Sequence, residues 1–188
     1  GALVCNDKKL AQNFDYYCSH GITRNEKLMC NHQDGEWYYE QHKLGMNYRM
    51  TDFQAALGIS QLKRLDDFLF RRREIANLYN HKLDKLPLEP LRFNYGTQSS
   101  YHLYVIKVDP KYRKFLFEFL RSEGIGVNVH YIPIHTQPYY QNLGFSKGNF
   151  PKSEKYYEMA ISIPIFYELT NKQVDYIVEQ ISAGISKL

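Results

Sequence analysis

Two polar side chains stand immediately before what reads as a helix start. In Gly45-Met46-Asn47-Tyr48-Arg49-Met50-Thr51-Asp52, Thr51 is a good N-cap, and Gln54 three residues on completes a capping box. Asn47 and Arg49 therefore lie where free backbone N–H groups and the helix dipole favour an anion. A carboxamide donor beside a guanidinium suits a phosphate. The alternative is a turn-capping Asn47 and a solvated Arg49, and spacing alone leaves both open. A second group of candidates lies later in the chain. His130 and His135 bracket Tyr131-Ile132-Pro133-Ile134, Asn128 precedes them, and His102 falls on an expected neighbouring strand. No third ligand for a metal is evident there. Imidazole and phenol groups suit the rim of a ligand cleft, where they bond hydroxyls or phosphates. The plainer alternative is a set of half-buried residues at a strand end. Cys18-Ser19-His20 and Cys30-Asn31-His32 double a Cys-x-His, but one intervening residue is tighter than structural zinc sites use. They read as loop residues and thiols, and no metal is expected. No nucleophilic triad and no glycine-rich phosphate loop is drawn.

These residues need elements to place them. From Thr51, apolar residues recur at Ile59, Leu62, Leu65, Leu69, Ala76, Tyr79 and Leu83, one stripe of a helix. No proline intervenes before Pro87, so a single long helix over 51–86 is expected, acting as a strut between two bodies. Ahead of it, Asn6 is expected to cap a helix showing Leu10, Phe14 and Tyr17, with Gly21 as its stop. Gly1-Ala2-Leu3-Val4 reads as a strand entered mid-stride, so the chain is expected to be part of something longer. Residues 22–44 lack periodicity and carry Trp37-Tyr38-Tyr39, as functional loops do. After the linker around Pro87 and Pro90, residues 101–108 read as an inner strand. Asp109-Pro110 opens a helix with Phe115, Leu116, Phe119 and Leu120 on one face, and Gly124 ends it. A second strand is expected over 125–131, with Gly126, Asn128 and His130 on one face and Ile125, Val127, Val129 and Tyr131 on the other unless the strand twists or ends at Tyr131. Residues 162–166 read as extended. Thr170 and Gln173 repeat the capping box before a final helix buried through Val174, Ile177, Val178, Ile181 and Ile185. The second half is thus a small α+β layer.

The totals agree with a globular chain. Its 188 residues are 44% hydrophobic and 15% aromatic, enough for a core and rich in pocket-forming side chains. The net charge of +4 is dispersed, and its densest cluster, Arg71-Arg72-Arg73, reads as a solvated helix face. No nucleic-acid motif and no membrane-spanning run is found. Three cysteines without framework spacing read as free thiols of a reducing cytosol, so a cytoplasmic location is expected.

The stretch from Gly45 to Gly58, GMNYRMTDFQAALG, resembles the signature of the sugar aminotransferases that use pyridoxal phosphate, the DegT/DnrJ/EryC/StrS group. Three further stretches resemble its pseudaminic-acid branch. These are Trp37-Tyr38-Tyr39-Glu40, residues 127–140 (VNVHYIPIHTQPYY), and Phe150-Pro151 with Ala160-Ile161-Ser162-Ile163-Pro164. The resemblance runs in order along essentially the whole chain.

What it implies is specific. The fold is α/β, the C-terminal part of a fold-type-I aminotransferase. Residues 1–50 would be the tail of the large cofactor domain with an active-site loop, 51–86 the interdomain helix, and 87–188 the small α+β domain. The cofactor is pyridoxal 5′-phosphate, the amino donor glutamate, the acceptor a UDP-linked keto-sugar, and the assembly a homodimer with shared active sites. The family's cofactor lysine, in a Ser-x-His-x-x-Lys element, would lie upstream of this chain, and Lys43 and Lys63 match no cofactor position. The chain alone is therefore not expected to transaminate. By position, Asn47 matches a residue that reaches the cofactor phosphate or substrate of the neighbouring subunit, and Arg49 supports the same anion. Asn128, Val129, His130 and Tyr131 match the segment contacting the nucleotide-sugar. The competing reading is a non-catalytic module that binds a nucleotide-sugar or another phosphate ligand.

Overall fold

A computed structural model describes residues 3–31, 35–91, 93 and 96–188. The chain divides into two units, Gly1–Leu62 and Lys63–Leu188.

In the first unit, helix α1 (Lys8–Cys18) is followed by the antiparallel ribbon of β1 (Ile22–Thr23) and β2 (Glu40–Gln41), then by helix α2 (Asp52–Leu62). The cap of α1 is Asp7 rather than the expected Asn6: its carboxylate accepts the Leu10 N–H at 2.8 Å. Gly21, at φ +71°, ends that helix by returning its N–H to the Tyr16 carbonyl. Leu3 and Val4 are exposed and belong to no strand, while Gly1 and Ala2 lie outside the described residues. His32 of the second Cys-x-His lies outside them as well.

The second unit opens with helix α3 (Leu65–Leu83). The single helix expected over 51–86 is thus two. Arg64 takes φ −103° and ψ 2°, outside the helical well, and Asp66 and Asp67 place negative charge in a fresh first turn. The apolar stripe changes character a little further on, within α3. Ile59, Leu62 and Leu65 are exposed, whereas Ala76, Tyr79 and Leu83 are fully buried.

Strands β3 (Glu89–Pro90), β4 (Tyr104–Lys107) and β5 (Ala160–Ile163) form an antiparallel sheet in the order β3-β4-β5. Pro90 sits on the edge strand, where no ladder N–H is missed. Glu89 opposes Lys107 and holds its ammonium at 2.8 Å. Tyr104, Ile106, Ile161 and Ile163 join the core with Ile75, Tyr79 and Leu83 of α3. Leu116 and Leu120 of α4 (Pro110–Ser122) enter the same core, as do Val174, Ile177 and Ile181 of α7 (Asn171–Ser186). At Gly184 the two helices approach so closely that a Cβ would meet Leu116 at 2.7 Å and Phe119 at 2.8 Å. Two short helices, α5 (Pro138–Gln141) and α6 (Pro151–Met159), complete the unit.

Two further expectations are corrected. Arg71, Arg72 and Arg73 are not a solvated face. Arg72 donates from Nη1 to the Tyr101 and Ile165 carbonyls at 2.9 and 3.0 Å. Arg71 reaches the Leu169 carbonyl at 2.6 Å, and Arg73 the Ser99 carbonyl at 3.2 Å. Three half-buried guanidinium groups thus satisfy loop carbonyls that no ladder could reach. The strand expected over 125–131 is also absent, reduced to one bridge between Asn128 and Ser162. Local bonds replace the ladder. The Val127 N–H turns back to the Ile125 carbonyl, and the Asn128 side chain takes the Val129 N–H at 2.8 Å.

Candidate functional site

Two polar centres lie in different units, and each is built locally.

The first centres on Asn47 and depends on glycine. Residues 19–23 and 42–48 cross at backbone contact. A Cβ on Gly45 would stand 2.3 Å from the Gly21 nitrogen and 2.6 Å from the Tyr16 carbonyl oxygen. The crossing is stitched by His20 N–H to Met46 O at 2.8 Å, Met46 N–H to Tyr17 O at 2.8 Å and Tyr48 N–H to Cys18 O at 2.9 Å. Asn47 pairs with Ser19 as an antiparallel bridge, so its backbone is fixed while its side chain is exposed. Arg49 Nε donates to Asn47 Oδ1 at 3.0 Å. With the carboxamide oxygen accepting from Arg49, Nδ2 remains a donor on an exposed side chain.

The helix start contributes less than its position implied. Thr51 and Gln54 form the expected capping box. Gln54 Oε1 takes the Thr51 N–H at 3.0 Å, and Thr51 Oγ1 takes the Gln54 N–H at 3.3 Å. Asp52 adds a carboxylate in the first turn. Part of the positive end is already used, so an anion here would be held chiefly by the Asn47 and Arg49 side chains.

The loop leading to this centre turns on Glu40, whose role the sequence did not announce beyond its place in Trp37-Tyr38-Tyr39-Glu40. Its buried carboxylate accepts the Cys30 N–H at 2.7 Å, the Asn31 N–H at 2.7 Å, Asn31 Nδ2 at 3.1 Å and the Tyr38 hydroxyl at 3.2 Å, and meets His42 Nε2 at 2.6 Å. The Cys30 N–H and then His42 hold its pKa down at about 2 against the opposing effect of burial.

The second centre is the segment over 128–131. Asn128 and Ser162 exchange both backbone hydrogen bonds, at 3.1 and 2.7 Å, which seats the segment along the free edge of β5. His130, two residues on, stands on the same face, and its Nδ1 lies 2.8 Å from Ser162 Oγ. Nε2 is thereby the nitrogen left for a ligand. Tyr131 is exposed and packs edge-on against the His130 ring, and the His130–Tyr131 peptide is cis. The faces read from alternation hold for Ile125 and Val127, which are buried, and for Asn128, which is exposed, but not for Tyr131, which leaves the buried face where the pairing ends. Val129 is half-buried.

His102 and His135 are placed differently. His102 is exposed in the turn before β4 and makes no hydrogen bond or ion pair among the described residues. His135 is only 7% exposed and lines a small cavity with Tyr140, Phe145 and Phe150. Its Nε2 lies 2.8 Å from Glu154 Oε1, and its ring packs against Phe150. The same oxygen accepts the Gly148 N–H at 2.7 Å, so His135 ties its turn to the start of α6. The His135 bond, with help from the Gly148 and Phe150 N–H groups, holds the Glu154 carboxyl below the usual carboxylate range. Neither Ser162 nor Glu154 was expected as a partner, because both contacts join residues 19 or more positions apart.

The chain is 36% identical over 191 residues to the spore coat polysaccharide biosynthesis protein SpsC of Bacillus subtilis, which covers 96% of this chain and 48% of that protein. It is 32% identical to the UDP-4-amino-4,6-dideoxy-N-acetyl-beta-L-altrosamine transaminase of Campylobacter jejuni, covering 100% of this chain and 48% of that one. Among solved structures, the putative sugar aminotransferase Spr1654 of Streptococcus pneumoniae in its PMP-form superposes with a TM-score of 0.88 at 32% identity, over 100% of this chain and 47% of that one. Helicobacter pylori PseC, an aminotransferase involved in the biosynthesis of pseudaminic acid, gives 0.85 at 28% identity, over 97% and 48%. The pneumococcal protein is also known in a PLP-form. The chain thus spans about half the length of the relatives it matches. The family model covers residues 1–182, taking in both the Asn47 crossing and the His130 edge, and the chain belongs to the DegT/DnrJ/EryC1/StrS aminotransferase family.

Proposed function

We propose that this chain is the C-terminal portion of a pyridoxal-phosphate-dependent aminotransferase. The whole protein would move an amino group from glutamate to C4 of a UDP-4-keto-6-deoxy-N-acetylhexosamine, in pseudaminic-acid or related surface-glycan biosynthesis. The observation that carries this reading is the Arg49 Nε to Asn47 Oδ1 bond, which leaves an amide N–H and a guanidinium as donors on exposed side chains, beside a backbone fixed at Gly45. That donor set fits a phosphate monoester dianion. When bound, the cofactor supplies the electron sink, and this chain's part is to hold its phosphate. The segment Asn128-Val129-His130-Tyr131 would meet the sugar nucleotide, with His130 Nε2 and the Tyr131 hydroxyl as its polar contacts.

A homodimer is part of the proposal. Phe53, Leu57, Ile59 and Leu62 of α2 are all exposed, next to Met46, Tyr48 and Met50. So much apolar side chain on 11 helical residues calls for cover by another surface. A cytoplasmic location is proposed with it, and no helix among the described residues is long and apolar enough to cross a membrane. The B. subtilis and C. jejuni relatives support surface-glycan chemistry as the setting.

The test is to incubate the whole protein with glutamate, pyridoxal phosphate and a UDP-4-keto-6-deoxy-N-acetylhexosamine. The expected result is stoichiometric 2-oxoglutarate and a UDP-amino-sugar. Failure to form 2-oxoglutarate, while the protein still binds UDP-sugars, would favour the non-catalytic module instead.

A further inference from the structure

The loop hub at Glu40 holds a second kind of chemistry. Among the described residues, one group of histidine, cysteine and carboxylate side chains is gathered closely enough to share an ion: Cys30, Glu40 and His42. It differs from the doubled Cys-x-His visible in the sequence, since neither Cys18 nor His20 belongs to it.

We propose that Cys30 Sγ, a Glu40 carboxylate oxygen and a ring nitrogen of His42 bind one divalent cation of the zinc class, with water in the fourth position. The three ligand atoms lie within 4.8 Å of one another, so an ion between them can sit no more than about 2.8 Å from each (4.8/√3). Zinc bonds run about 2.3 Å to sulfur and about 2.0–2.2 Å to nitrogen and oxygen, so each side chain closes by under about 0.8 Å. The mixed sulfur, nitrogen and oxygen set selects zinc over calcium or magnesium, which take oxygen ligands.

The surroundings already resemble an outer shell. Asn31 and Tyr38 bind Oε1, and the Cys30 N–H binds Oε2, so the carboxylate is oriented before any ion arrives. The 2.6 Å contact between His42 Nε2 and Glu40 Oε2 is held by a proton that the cation replaces. Cys30 is exposed, which leaves an entry path and room for the water. The His42 ring is steadied by stacking on Tyr16 at 5.9 Å. Bound metal would fasten the Cys30 end of the loop to β2 and to His42 just after it.

The probe is Co²⁺ added to the full chain after metal stripping, followed by thiolate-to-cobalt charge-transfer absorption, with circular dichroism to confirm folding. One equivalent should saturate the band and Zn²⁺ should abolish it. Cys30→Ser should remove the band, and His42→Gln should weaken Co²⁺ binding more than about tenfold. Cys5→Ser and Cys18→Ser should leave it intact. The proposal is overturned if no charge-transfer band forms, if the band survives Cys30→Ser, or if His42→Gln binds Co²⁺ as tightly as the parent.

Discussion

Adding one methyl group at Gly45 should damage both stability and ligand retention. The new Cβ would stand 2.3 Å from the Gly21 nitrogen, 2.6 Å from the Tyr16 oxygen and 2.7 Å from the His20 carbonyl carbon. All three are backbone atoms and cannot rotate aside. Carbon contacts settle near about 3.5 Å, so the crossing must open by about 1 Å. Opening it stretches the His20–Met46, Met46–Tyr17 and Tyr48–Cys18 bonds. Overpacking of this kind costs about 1–3 kcal/mol, and each weakened hydrogen bond adds about 0.5–1.5 kcal/mol. A loss of at least about 2.5 kcal/mol is expected for Gly45→Ala, read as a shift of the urea or thermal midpoint. Asn47, two residues on, moves with the opened crossing, and a misplacement of about 1 Å costs about 100-fold in turnover. Gly58 is the control: nothing lies within 4 Å of its Cβ position, so Gly58→Ala should leave stability unchanged or raise it. A Gly45→Ala protein that melts with the wild type and keeps its phosphate affinity would refute the crossing's role.

Other perturbations test the second unit. Arg72→Met leaves the Tyr101 and Ile165 carbonyls without their donor and should cost about 2–4 kcal/mol in urea unfolding. Gly184→Val drives a branched side chain into Leu116 and Phe119 and should cost about 1–3 kcal/mol by the same measurement. Glu154 carries a sign that can be checked. Its carboxyl is depressed in the folded state, so its contribution is full above the unfolded value, about pH 4.3, and fades as pH falls through the lower folded value. Melting temperature should therefore drop more steeply in acid for the wild type than for Glu154→Gln, and equal slopes would contradict the tie to His135.

The local elements were legible because each depends on a few neighbouring residues. The Thr51–Gln54 and Thr170–Gln173 boxes, the Asp109-Pro110 start and the Gly124 stop were all read from spacing and all form. The buried face of α7 was read the same way. What failed depended on distance along the chain. Arg71 to Arg73 look like a surface cluster until carbonyls from residues 26 to 98 positions away arrive to receive them. Alternation over 125–131 gave the correct faces for Ile125, Val127 and Asn128, but the ladder was lost to short-range bonds at Val127 and Val129. The stripe through Leu62 and Leu65 is continuous in sequence, while the two Asp residues that restart the helix are easily passed over. At the candidate sites, residue types pointed to Asn47 and His130. Their partners, Ser19 and Ser162, could be found only from the folded chain.

The central claim is that Asn47, fixed by its backbone and bonded to Arg49, holds the cofactor phosphate. The direct measurement is the dissociation constant of pyridoxal phosphate from the whole protein, compared between wild type and Asn47→Ala at constant ionic strength. Loss of a hydrogen bond to a charged group, about 1.5–3 kcal/mol, should weaken binding about 10- to 150-fold with the fold unchanged by circular dichroism. An Asn47→Ala protein that binds pyridoxal phosphate as tightly as the wild type would contradict the claim.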